Sequence, residues 1–63
     1  MQAIYEAKDT VGFEQLASEV NEFFLEYEYA SNHRIVATGS LMDHVKFENR
    51  LRSIGLDHKF RLI

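Results

Sequence analysis

The sequence contains neither cysteine nor proline. Without cysteine there is no disulfide-built scaffold and no zinc module held by thiolates. Long apolar runs are also missing. The densest stretch is Phe23-Phe24-Leu25, far short of the roughly 18 to 20 residues of a helical membrane span. The first residues, Met1-Gln2-Ala3-Ile4-Tyr5-Glu6, have neither the basic nor the apolar region of a signal peptide, so a cytoplasmic protein with no membrane partner is expected. Glycine is scarce, and the lone Gly39 of Thr38-Gly39-Ser40 is too little to define a phosphate-cradling loop. No Gly-x-Ser-x-Gly setting surrounds Ser18, Ser31, Ser40 or Ser53. An enzyme is therefore not expected.

What is present is apolar surface. Hydrophobic residues make up 46% of the chain against a formal charge of only -3, which excludes ordinary disorder. The 63 residues form one small domain, 1–63. A domain of about 60 residues buries only roughly 60% of the surface of its unfolded chain. It needs either a dense aromatic core or a partner subunit. Tyr5, Phe13, Phe23, Phe24, Tyr27, Tyr29, Phe47 and Phe60 supply the first and are suited to the second.

Periodicity predicts the elements. Residues 1–8 alternate, with Ala3, Tyr5 and Ala7 on one side and Gln2, Ile4 and Glu6 on the other, as in a strand. Asp9 and Thr10 are suited to cap a helix. Phe13, Leu16, Ala17, Val20, Phe23, Phe24 and Tyr27 then form one apolar stripe, predicting a helix from about Val11 to Tyr27. Ala30-Ser31-Asn32 supplies a turn, and His33 to Thr38 is short and β-branched, hence a strand. Ser40-Leu41-Met42-Asp43 matches a capping box, followed by Phe47, Leu51 and Ile54 at helical spacing and a stop at Gly55-Leu56. Leu41, Val45 and Phe47 also fit a period of two, so a hairpin over Ile35 to Phe47 is the alternative. Asp57 to Ile63 closes as a strand, His58, Phe60 and Leu62 alternating with Lys59, Arg61 and Ile63. The expected fold is α/β, with α+β as the alternative. It is a two-layer sandwich in β-α-β-α-β order, with two helices on a three-stranded sheet whose strands run parallel. Its exposed edges invite a homodimer. The stretch from Ser40 to Ile63, with its capped helix, Gly55-Leu56 and closing Lys59-Phe60-Arg61-Leu62-Ile63, resembles the second half of many ferredoxin-like or small βαβ domains. It covers about 24 residues and carries no diagnostic motif.

Candidate functional residues fall into three groups. His33, His44 and His58 match no local metal-binding spacing. The pairs Asp43-His44 and Asp57-His58 are better placed as element starts than as ligands, so neither metal nor cofactor is expected. Charge divides unevenly. Residues 1–30 carry Glu6, Asp9, Glu14, Glu19, Glu22, Glu26 and Glu28 against Lys8 alone, a balance of about -6. Residues 31–63 carry Arg34, Lys46, Arg50, Arg52, Lys59 and Arg61 against Asp43, Glu48 and Asp57, about +3. An acidic helix face built from Glu19, Glu22 and Glu26, beside Tyr27 and Tyr29, is the expected contact surface for a protein partner. Such a ridge can dock on a basic protein or imitate a nucleic-acid backbone. The expectation is thus a non-enzymatic interaction module, a small regulator or inhibitor of the kind a bacterium or phage encodes, acting as a homodimer. The alternative is a nucleic-acid-binding module using Arg34, Lys46, Arg50 and Arg52, with few cations and no aromatic stacking set to support it.

Overall fold

A computed structural model describes all residues, Met1–Ile63. Strand β1 spans Gln2–Ala7 and sorts as its alternation requires: Ala3, Tyr5 and Ala7 are buried on one face. Helix α1 covers Thr10–Phe23, capped by the Asp9 carboxylate, which accepts from the Gly12 N–H at 2.8 Å. Its inward stripe is Gly12, Leu16 and Val20.

Helix α1 stops four residues before Tyr27, which corrects the longer helix expected from the stripe. Phe24 is already extended, with φ -131 and ψ 137, and its N–H closes on the Val20 carbonyl. Glu26–Ala30 forms a strand, β2, absent from the expected set. Phe24 and Tyr27 extend the helical stripe of α1 and also pack on the core in the folded chain, so the apolar pattern alone could not separate helix from strand there. What favours the strand is pairing: Glu-Tyr-Glu-Tyr alternates, and it completes the ladder of β3, Arg34–Thr38. The Ser31-Asn32-His33 turn between them is tight. Asn32 and His33 both take φ 60, a conformation Asn and His tolerate better than most residues.

Helix α2 spans Leu41–Ser53 with both halves of its capping box formed, so the hairpin alternative does not occur. The Ser40 hydroxyl accepts from the Asp43 N–H at 3.1 Å and the Asp43 carboxylate from the Ser40 N–H at 3.0 Å. Gly55 ends the helix in the left-handed region at φ 70. The Leu56 N–H reaches the Leu51 carbonyl at 2.9 Å, and the Gly55 N–H the Arg52 carbonyl at 3.1 Å, a complete Schellman closure. Strand β4 is His58–Leu62.

The sheet therefore has four strands in the order β2-β3-β1-β4, every neighbouring pair antiparallel. This overturns the three-stranded, parallel expectation. The fold class is α+β, and the two β-α-β crossovers are split: β3 separates β1 from β2, and β1 separates β3 from β4. That is the ferredoxin-like connection. One core lies between the helices and one sheet face, built from Ala3, Tyr5, Ala7, Leu16, Val20, Phe24, Ile35, Ala37, Phe47, Leu51 and Leu56. Phe47 anchors it, its ring edge-on to Tyr5 at 4.8 Å and to Phe24 at 5.4 Å. No helix is long and apolar enough to cross a membrane.

Candidate functional site

Covering one face of a four-stranded sheet with two helices leaves the other face to solvent. Strand alternation decides what that face carries, and the register lays it out in rows. Glu28, Val36, Ile4 and Arg61 form one row across β2, β3, β1 and β4. Ala30, Arg34, Glu6 and Lys59 form the next. Glu26, Thr38 and Gln2 form a third, where the Gln2 amide donates to the Thr38 hydroxyl at 3.2 Å.

Two features distinguish this surface. Ile4 and Val36 sit half-buried side by side at its centre. Charge is graded across it: β2 is acidic through Glu26 and Glu28, β4 is basic through Lys59 and Arg61, and an Arg34–Glu6 pair at 3.5 Å lies between them. Between β1 and β4 the face dips into an open depression of about 590 Å³, lined by Ile4, Glu6, Arg34, Lys59, Phe60 and Arg61.

The expected contact residues are not brought together. Glu19 and Glu22 lie on α1, and Glu19 is clamped by the Arg50 guanidinium at 3.0 and 3.3 Å. That ion pair ties α1 to α2 and raises Arg50 above its ordinary value, chiefly through the hydrogen bond to Glu19. Glu26 is on the open sheet face, not on a helix. Tyr27 and Tyr29 point the opposite way: Tyr27 packs on the core, and Tyr29 meets Phe13 at 5.8 Å. The cations of the alternative set are also scattered. Arg34 is on the open face beside Glu6, whereas Lys46, Arg50 and Arg52 are on α2, with Arg52 3.7 Å from Glu48. Sequence reasoning missed Ile4, Val36, Glu28, Lys59 and Arg61 as a set. The alternation of β1 and β4 held half the signal; the rest required β2 to be a strand.

Two of the three histidines serve the interior, whereas His33 sits in the β2–β3 turn with its Nε2 3.2 Å from the Thr10 hydroxyl. His44 is buried, with its Nδ1 2.7 Å from the Tyr5 hydroxyl and its Nε2 3.1 Å from the Met1 carbonyl. A carbonyl can only accept, so Nε2 carries the hydrogen and Tyr5 donates to Nδ1. His58 donates from Nδ1 to the Leu56 carbonyl at 2.9 Å and meets Glu48 through Nε2 at 2.5 Å. Every ring nitrogen of this pair is engaged, and no buried side-chain nitrogen or oxygen lacks a partner. No group of three or more His, Asp or Glu side chains converges as a metal site would require. A further concavity is a groove of about 320 Å³ between α2 and β4, with Leu41, Val45, Phe60 and Leu62 on its apolar side and His44, Glu48, Asn49 and Arg52 along the rest.

Comparison of the chain with protein-family models, with curated proteins and with solved structures returns no match.

Proposed function

We propose that the chain is a non-enzymatic protein–protein interaction module that works through the open face of its sheet. The observation that carries this reading is the pairing of an apolar centre, Ile4 and Val36, with oppositely charged margins on β2 and β4. An apolar centre with a polar rim is the anatomy of protein interfaces. The engagement of His44 and His58 in internal hydrogen bonds supports a non-catalytic role, since a general base needs a nitrogen within reach of substrate. Charge balance supports a protein partner over nucleic acid. Three carboxylates, Glu6, Glu26 and Glu28, match the cations Arg34, Lys59 and Arg61, whereas phosphate binding calls for a basic surface.

Site-specific photo-cross-linking tests the assignment. A photoreactive residue at Val36, in the protein expressed in its cell of origin, should give covalent adducts; the same residue at Glu22, on the outer side of α1, should give none. Adducts from position 22 alone would move the contact to the acidic helix and end this reading.

A further inference from the structure

We infer that the occupant of the open sheet face is a second copy of the same chain, stacked face to face about a two-fold axis parallel to the strands. This rests on the interaction reading above and supplies its partner.

The charge layout selects the axis. A two-fold perpendicular to the strands lays each strand on its own counterpart, β2 on β2 and β4 on β4. Glu28 would then face Glu28, and Arg61 would face Arg61. A two-fold parallel to the strands reverses the strand order while keeping each row level, so β2 lies on β4 and β3 on β1. In the first row Glu28 then meets Arg61 of the second copy, and Val36 meets its Ile4. In the next row Arg34 meets Glu6 of the second copy. Each contact recurs by symmetry, placing four apolar side chains around the axis and a ring of four alternating charges beside them. The Glu28–Arg61 and Arg34–Glu6 contacts are matched without a residue being moved, and Lys59 meets the uncharged Ala30 of the second copy. Stacked sheets sit about 10 Å apart with strands within about 30° of alignment, a gap that long side chains such as Glu and Arg can bridge.

The same charges oppose joining two sheets by their edges. An antiparallel β4–β4 seam centred on Phe60 puts Lys59 opposite Arg61 of the other copy, and like charges directly opposite destabilise a ladder. An antiparallel β2–β2 seam centred on Tyr27 puts Glu26 opposite Glu28 of the other copy, and one centred on Glu28 puts Glu28 on its own counterpart. A β2–β4 seam is matched in charge but head-to-tail, so it grows an open filament and not a closed pair. The face is small. Four strands about 4.8 Å apart and five residues long project roughly 300 Å² per copy before side-chain relief is counted. That is well below the roughly 800 Å² per partner of a standard interface, so a weak pair is expected, dissociating above the micromolar range.

Sedimentation equilibrium on three samples tests the inference: the native chain, Glu28→Arg and Arg61→Glu. The native chain should form a dimer of the 7.4 kDa protomer that weakens with salt. Each variant alone places like charges across the axis and should associate on the order of 100-fold more weakly. Mixed in equal amounts, the two variants should form a heterodimer, because arginine at 28 then meets glutamate at 61 and the native Glu28 meets the native Arg61. Within one chain these residues lie on opposite edges of the sheet, three strand spacings or roughly 14 Å apart, so recovery on mixing can only be intermolecular. A misfolded variant would not be rescued by its partner, and circular dichroism of each variant checks the fold directly. A monomer at all concentrations, with cross-linking from Val36 to another protein retained, would overturn self-pairing and leave the interaction reading standing. Loss of both would remove the two together. Assemblies that keep growing with concentration would replace the closed dimer with the edge seam, and a dimer indifferent to both reversals would place the contact elsewhere.

Discussion

The Tyr5 hydroxyl donates to His44 Nδ1 at 2.7 Å, joining the central strand to α2 across 39 positions of sequence. Both side chains are buried, and the His44 ring is held from its other nitrogen by the Met1 carbonyl. Replacing Tyr5 by Phe keeps the ring contact with Phe47 but leaves Nδ1 without its donor in a buried site. Such an orphaned acceptor costs about 1–3 kcal/mol. Urea unfolding of Tyr5→Phe should show that loss, with the midpoint lowered and the slope unchanged.

The same phenol sets an alkaline limit. Burial, and then the negative charge of Glu48, hold Tyr5 well above its ordinary value of 10.0. An acid raised in the folded state favours folding below its unfolded pKa, and that contribution is lost as pH rises from there toward the folded value. Stability should therefore fall as pH climbs past about 10. In Tyr5→Phe the fall should be shallower although the variant starts weaker, as melting temperatures measured across that range would show.

Legibility in the sequence followed the strength of local signals. The α2 cap at Ser40 and Asp43 and the stop at Gly55-Leu56 were readable because each is a short-range hydrogen-bond pattern with fixed residue types. The alternation of residues 1–8 correctly gave a strand, and Ala3, Tyr5 and Ala7 share its buried face. Strand β2 was not readable, because Phe24 and Tyr27 continue the period of Leu16, Val20 and Phe23 whether or not the helix does. Pairing with β3 across the Ser31-Asn32-His33 turn settles it, and missing that strand hid part of the open face. The contact surface expected from charge alone is divided for the same reason: Glu26 lies on β2, on the opposite side of the molecule from Glu22 on α1.

The break after α1 predicts a sharp contrast between neighbours. Phe24 is 4% exposed and packs its ring against Phe47 and His44, whereas Leu25 is wholly exposed at 104%. Phe24→Ala should cost about 3–5 kcal/mol through lost burial and the cavity left behind. Leu25→Ser, which removes nothing packed, should fall within about 0.5 kcal/mol of the native chain. Chemical denaturation of the two variants side by side checks this, and a large loss at Leu25 would contradict the extended conformation after Phe23.

Acid should loosen α2 from its cap. Asp43 lies below its ordinary value of 3.8, first because its carboxylate accepts the Ser40 N–H and then through the Ser40 side chain. A depressed carboxylate contributes stability that is full above its unfolded pKa and lost as pH falls through its folded one. The window is therefore acidic, from about pH 4 downward. Asp43→Asn removes the titration while keeping an acceptor oxygen. The difference between native and variant melting temperatures should shrink as pH drops through that window.

Gly39 and Gly55 look alike in sequence and should fail differently. A methyl group at Gly39 would lie 2.9 Å from the Phe24 ring and 2.9 Å from the Asp43 carboxylate. Neither can yield freely, one being packed in the core and the other tied into the cap. Gly39→Ala is overpacking, with an expected loss of about 1–3 kcal/mol. At Gly55 nothing lies within 4 Å of an added methyl, and the penalty is conformational, about 1–2 kcal/mol for an L residue held at φ 70. Asparagine, which tolerates the left-handed region, should recover part of the loss at position 55 and none at position 39. Denaturation midpoints for the alanine and asparagine variants at each site separate steric from conformational cost; equal recovery at both would refute the close approach of Gly39 to Phe24.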